Sequence, residues 1–224
     1  MRKIYCCCII LISIYGFGQQ SQPDSKKKKD NQDHSIGIGI KFGLNFANVT
    51  NAASINGKSQ TGFNIGIFLA PPTKSILSSH TELVFSRQGY SYSSDSSTGS
   101  VKLDYLTLAQ FMAINITKYV QIQIGGQTSY LLNAKADSSQ PSTGNASADK
   151  ILSFYNRIDY GIGAGVEVHP VLGLIVGARY NLSFANLYKQ PTTTGGTTQP
   201  SFIPSTSSIS LKNNIVQLYL GYRF

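Results

Sequence analysis

From Ile36 to Phe224 the chain alternates between apolar and polar or glycine positions in eight separate stretches. A period of two is the signature of an extended strand with one face in an apolar environment. The first stretch sets Ile36, Ile38, Ile40, Phe42, Leu44 and Phe46 against Gly37, Gly39, Lys41, Gly43 and Asn45. The second sets Phe63, Ile65, Ile67 and Leu69 against Gly62, Asn64 and Gly66. The third, near "HTELVFSRQGYSY", is less regular, and the fourth, "VKLDYLTLAQFMAIN", fits either parity. In the fifth, Val120, Ile122, Ile124, Tyr130 and Leu132 oppose Gln121, Gln123, Gln127 and Ser129. The sixth opposes Ile158, Tyr160, Ile162, Ala164, Val166 and Val168 to Arg157, Asp159, Gly161, Gly163, Gly165 and Glu167. The seventh opposes Leu174, Val176, Ala178, Tyr180, Leu182 and Phe184 to Gly177, Arg179, Asn181 and Ser183. The eighth, "IVQLYLGYRF", alternates to its last residue, with Val216, Leu218, Leu220, Tyr222 and Phe224 on one face and Arg223 on the other.

Eight such strands predict an all-β, antiparallel, up-and-down barrel over residues 36–224. The apolar faces run for about 9 to 13 residues, close to the 9–11 of a tilted membrane strand and longer than the usual soluble strand. The odd connections are mostly long and rich in Ser, Thr, Gly and Asn, whereas the even ones are mostly short. That asymmetry is the pattern of a transmembrane barrel with long extracellular loops and short periplasmic turns.

Alternation alone also fits a soluble lipid-binding barrel, which buries its apolar face inward. The charges separate the two. Lys41, Arg157, Asp159, Glu167, Arg179 and Arg223 share the glycine-rich face, with mixed sign. Glycine beside long charged side chains suits a narrow lumen filled by ion pairs. The apolar face then meets lipid. Together with Glu82 these residues form the expected interior polar network. Parity leaves Arg87 on the lipid side if Glu82 points inward, unless a bulge near Gln88–Gly89 re-aims it. A lipid-facing arginine at the midplane costs about 2–4 kcal/mol and less near the interface. Phe46, Phe63, Tyr105, Tyr130 and Phe184 are candidates for the upper aromatic girdle, and Tyr222 and Phe224 for the lower one.

The opening residues "MRKIYCCCIILISIYGFG" show a basic start, a short apolar run and small residues, which predicts a signal peptide over residues 1–18. Residues 19–35 hold no large apolar anchor and read as a disordered basic linker with the run Lys26 to Lys29. The three cysteines all lie within the first eight residues. A disulfide scaffold and cysteine-based zinc are therefore excluded from the barrel. The net charge of +9 does not imply nucleic acid, because the basic residues do not cluster on one element.

The blocks "GIKFGLNFANV", "GFNIGIFL", "ELVFSRQG", "GARYNLSFANL" and "LGYRF" resemble the PorT-like outer-membrane β-barrel family of Bacteroidetes. The resemblance spans about residues 37–224. It implies eight strands, an outer-membrane location and insertion by the outer-membrane assembly machinery, for which Tyr222 and Phe224 would be the signal. Some members of that family support protein secretion. The chain departs from the pattern at Thr107 and Ala109, where such proteins tend to carry an acidic residue and a proline.

No enzyme is expected. His34 lies in the linker, and His80 and His169 are placed at the wet periplasmic rim. His80 shares a face with Glu82, yet the sequence brings no serine to them as a triad would need. No cofactor or metal is implied. The expected partners are outer-membrane lipid, the assembly machinery, and an envelope or extracellular protein met through loops 47–60, 134–152 and 187–210. The expected role is a membrane-anchored scaffold, with a narrow or gated pore as the alternative.

Overall fold

A computed structural model describes residues 37–50, 58–70, 76–94, 97–138, 152, 155–189 and 211–224. The expected signal peptide, the linker with its lysine run, and much of the three long loops lie outside these residues. The described residues form eight strands: β1 (Gly37–Thr50), β2 (Lys58–Ala70), β3 (Leu77–Ser94), β4 (Ser97–Asn115), β5 (Val120–Ser138), β6 (Ile158–Val168), β7 (Leu174–Ser183) and β8 (Lys212–Arg223). Each pairs antiparallel with its neighbour in sequence, and β8 returns to β1 to close the barrel. The closing seam runs from Gly39 opposite Arg223 to Thr50 opposite Lys212. It extends to a bond from the Phe224 amide to the Ile38 carbonyl at 2.9 Å. Closure matters because an open edge in hydrocarbon leaves backbone groups without partners.

The apolar faces point out. Ile38, Ile40, Phe42 and Leu44 on β1, Ile65 and Ile67 on β2, and Leu218 and Leu220 on β8 are all exposed. A soluble barrel would bury this set, so its exposure rules that reading out. The fourth strand, undecided by sequence, turns Val101, Leu103, Tyr105, Thr107, Ala109 and Phe111 inward and Leu106, Leu108 and Met112 outward. Tyr105 therefore leaves the expected girdle for the interior. Phe46, Phe63, Tyr130 and Phe184 do face outward.

The wall is uneven in height. β4 and β5 have 19 residues each and β3 has 18, against 10 in β7. Much of the stretch expected as the third loop is strand, since the β3–β4 pairing continues as far as Ser94 opposite Ser97. A register shift in the β4–β5 pairing leaves Leu132 unpaired between Leu131 and Asn133. At the short-turn end, Thr117 Oγ1 accepts from the amides of Tyr119 at 3.1 Å and Val120 at 3.0 Å. The β6–β7 turn closes through Gly173, whose φ of +80° is strained for any residue with a Cβ.

Inward glycines make room for large lumen side chains. A Cβ on Gly163 would stand 3.0 Å from Phe111 Cε1 and would also meet the Asn181 amide. Gly163→Val should therefore push Phe111 across the lumen and cost about 1–3 kcal/mol by overpacking. A shift in urea midpoint checks this, with outward-facing Ala164→Val as the control that should change little.

Candidate functional site

The lumen is organised around Glu82, which β3 directs inward opposite β1 and β7. Its Oε2 accepts from Lys41 Nζ at 2.8 Å and Arg179 Nη1 at 2.7 Å. Its Oε1 accepts from Arg179 Nη2 at 2.8 Å. The Arg179 pair is bidentate, the strongest geometry for a carboxylate. The guanidinium stacks 3.8 Å from the Phe111 ring centroid, and Lys41 Nζ lies 4.1 Å from that of Tyr219. Arg179 Nη2 also donates to Gln123 Oε1 at 2.5 Å.

Glu167 joins through side chains rather than by direct contact with a strong cation. Tyr219 receives a 3.3 Å bond from Arg179 and donates to Glu167 Oε1 at 2.7 Å. Gln121 donates to Glu167 Oε2 at 3.3 Å. His169 Nε2 stands 3.6 Å from the same oxygen, too far for a hydrogen bond. Two carboxylates, Glu82 and Glu167, thus face two cations, Lys41 and Arg179, all buried. Balanced charge and hydrogen bonding are the conditions under which ions persist in a low-dielectric interior.

A layer of amides lies above this waist, toward the long loops. Asn45 Nδ2 donates to Ser86 Oγ at 2.9 Å and accepts through Oδ1 from Asn64 at 2.7 Å. Gln88 donates to Ser86 Oγ at 2.9 Å, and Asn213 donates to Gln88 Oε1. A small cavity lined by Glu82, Thr107, Gln127, Arg179, Asn181 and Gln217 has room for roughly one water molecule. Arg179 Nε and Asn181 Oδ1 are buried without a hydrogen-bond partner among the described residues and would be satisfied by it.

Higher still the interior turns apolar. Tyr90, Val101, Leu103, Tyr105, Leu131 and Ala134 pack with Leu152, Tyr155, Leu187 and Leu211 from the segments flanking β6, β7 and β8. Tyr90 shares hydrogen bonds with Tyr155, at 2.9 Å, and with Tyr188. Burial pushes the Tyr155 hydroxyl well above the ordinary tyrosine range, so it keeps its proton.

The structure brings together Lys41, Glu82 and Arg179, with Glu167 attached through Tyr219 and Gln121. It does not bring in the others. Asp159 accepts from Ser183 at 2.6 Å, away from the waist. Arg157 is exposed, precedes β6, and donates to the Tyr130 hydroxyl at 3.3 Å; it is not an interior residue. Arg223 is half-buried at the short-turn end and makes no ion pair among the described residues. Tyr222 and Phe224 face outward with ring centroids 5.4 Å apart. His80 is buried inside, not at the rim, with its ring nitrogens 3.1 Å from the Gln123 amide and 3.3 Å from that of Gln121. Arg87 faces outward. The β3–β4 register runs unbroken through Gln88–Gly89, and the shift on the other side, in the β2–β3 pairing between Ser59 and Asn64, puts the extra residue on β2, so β3 keeps its alternation and Arg87 is not re-aimed. Its Nε and Nη2 donate to Asp104 at 2.6 and 3.1 Å. Among the described residues no three His, Cys, Asp or Glu side chains converge as metal ligands.

Sequence reasoning missed Tyr219 as the link between Arg179 and Glu167. Its place on the inward parity of β8 was the available signal. It also missed the tyrosine cap, whose members come from strands and loops far apart in sequence.

Residues 17–189 match the outer membrane protein beta-barrel domain family, more than half of the chain. The chain belongs to that family and is an outer-membrane β-barrel. Neisserial surface protein A has a similar structure, with a TM-score of 0.51 at 13% identity, covering 84% of this chain and 97% of that one. Ail of Yersinia pestis gives 0.44 at 14% identity, over 84% of this chain and 99% of its own. OprG of Pseudomonas aeruginosa gives 0.41 at 10%, over 85% and 97%. At these identities the likeness is one of fold. No curated protein sequence matches the chain.

Proposed function

We propose that this outer-membrane barrel is a membrane-anchored scaffold rather than a steady pore, and that its long loops carry its contacts with an envelope or extracellular protein. The filled lumen carries this reading. Lys41 and Arg179 close on Glu82 across the waist, and the Tyr90–Tyr155–Tyr188 cluster occupies the extracellular end. Eight strands leave an interior just wide enough for side chains to fill.

The quoted glycine-rich blocks support placing the chain with PorT-like barrels of Bacteroidetes, where a role in protein secretion belongs to some members. The basic, then apolar, opening supports export through a signal peptide over residues 1–18, followed by a linker to residue 35. Tyr222 and Phe224, outward at the seam, support recognition by the assembly machinery. The engaged state of His80, held by two glutamine amides, supports a non-catalytic barrel.

The purified protein in planar bilayers should give no step-like conductance. Frequent, uniform steps would overturn the scaffold reading in favour of a pore. If the bilayers stay silent, crosslinking on whole cells should then trap a partner through the loops, and no adduct above the monomer would count against a loop-borne contact.

A further inference from the structure

Lys102 on β4 and Lys135 on β5 are direct cross-strand partners. Both are exposed on the outward face, and neither has an ion-pair partner among the described residues. Directly opposed residues hold their Cβ atoms about 4.5–5.5 Å apart, and like charges so placed destabilise a sheet. An anion between the two ammonium groups would reverse the sign of that contribution. Gly89 on β3 is the other cross-strand partner of Lys102, and with no side chain of its own it is covered by the uncharged Gln60 side chain. Two residues along β3 from it, on the same outward face, is Arg87. Its guanidinium is pinned by Asp104 and lies 5.2 Å from the Phe63 ring centroid, with Nη1 left over. Asp104 neutralises Arg87 in part, and the register places Asp137 two residues beyond Lys135.

The height of this group identifies its partner. Leu106 and Leu132 are the exposed leucines next below Lys102 and Lys135 on their strands, toward the short turns. Phe63 and Tyr130, also exposed, mark the aromatic level. The lysines stand just beyond that level, on the same continuous outer wall that meets lipid. This is where the headgroups of the outer leaflet lie. The phosphate groups there belong to the phosphorylated glycolipid lipid A.

We propose that Lys102 and Lys135, with Arg87 beside them, form a binding site on the outer wall for a lipid A phosphate. The site does not depend on the scaffold reading. It requires only an outer-membrane barrel, and it makes the tall β3–β5 sector the side that orders the outer leaflet.

The test reconstitutes the full protein in phosphatidylcholine bilayers alone, with bisphosphorylated lipid A, or with lipid A stripped of its phosphates. The wild-type urea midpoint should rise with phosphorylated lipid A and not with the stripped form. In the Lys102→Gln/Lys135→Gln variant that rise should disappear, and bound lipid A per barrel should fall on the order of tenfold. In pure phosphatidylcholine the same variant should be as stable as wild type or more so, because the opposed charges are gone. Equal wild-type midpoints with the two lipid A forms would overturn the site without any variant. So would a variant that keeps the full rise. An equal rise from inorganic phosphate at matched concentration would show a general anion site and defeat the lipid assignment.

Discussion

Glu82→Ala should destabilise the folded barrel by about 3–5 kcal/mol, the usual cost of removing one partner from a buried ion pair. Glu82 is the common acceptor for Lys41 and Arg179. Without it two cations remain in the waist, and the nearest carboxylate, Glu167, reaches Arg179 only through Tyr219. Arg179→Ala should cost somewhat less, since the Lys41–Glu82 pair survives it. Lys41→Met should cost least, because the bidentate Arg179–Glu82 pair remains. A triple replacement with Met, Leu and Met at positions 41, 82 and 179 should return close to wild-type stability, as apolar substitutes for buried ion triads do elsewhere. Urea titration in lipid vesicles, followed by heat-modifiable gel mobility, measures all four. A cost within about 1 kcal/mol for Glu82→Ala would mean water screens the waist. A water-filled waist would favour the pore.

The alternation made the strands readable because lipid faces the whole outer wall, so each strand repeats the same apolar rhythm. The rule that the inner face is polar holds only in the middle of the lumen, since Phe68, Ala70 and Ile175 pack inward with Tyr219 toward the short-turn end. Toward the extracellular end, Val101, Leu103, Tyr105 and Leu131 are apolar and inward. There β4 turns its apolar residues inward and Lys102 and Asp104 outward, whereas nearer the short turns Leu106, Leu108 and Met112 face outward, which is why its sequence fits either parity and why Tyr105 reads as a girdle residue. The shift at Leu132 adds a second obstacle, since one unpaired residue reverses the parity of everything beyond it.

The candidate site was legible as a set of inward charges but not as contacts. Parity put Lys41, Glu82, Glu167 and Arg179 on one face, and closure of the barrel brought four different strands together at one level. Arg157 failed the same rule because β6 begins one residue later, at Ile158. Outside the strand its side chain is free to turn out to Tyr130. His80 failed in the opposite sense. Charge and proximity to a turn suggest a wet rim, but the residue lies three places inside β3 and stacks on Phe68 with ring centroids 6.1 Å apart.

Emptying the waist alone should leave the barrel closed, because a second barrier stands above it in series. Lys41→Ala/Glu82→Ala/Arg179→Ala removes the ionic closure, yet the buried cluster around Tyr90, Tyr155 and Leu131 still fills the extracellular end. Tyr90→Ala alone removes the hydroxyl that bonds Tyr155 and Tyr188, and deleting a buried aromatic ring costs about 3–5 kcal/mol. It leaves the waist intact, so current should still be absent. The four substitutions together should give step-like conductance in planar bilayers, provided the protein keeps its heat-modifiable band as proof of a closed barrel. Steps from the triple variant alone would show that the tyrosine cap does not seal. Steps from Tyr90→Ala alone would show that the ion pairs do not. Two independent closures in one narrow lumen are what a barrel needs if its work lies at its loops and its wall, because either closure can then loosen without opening the membrane.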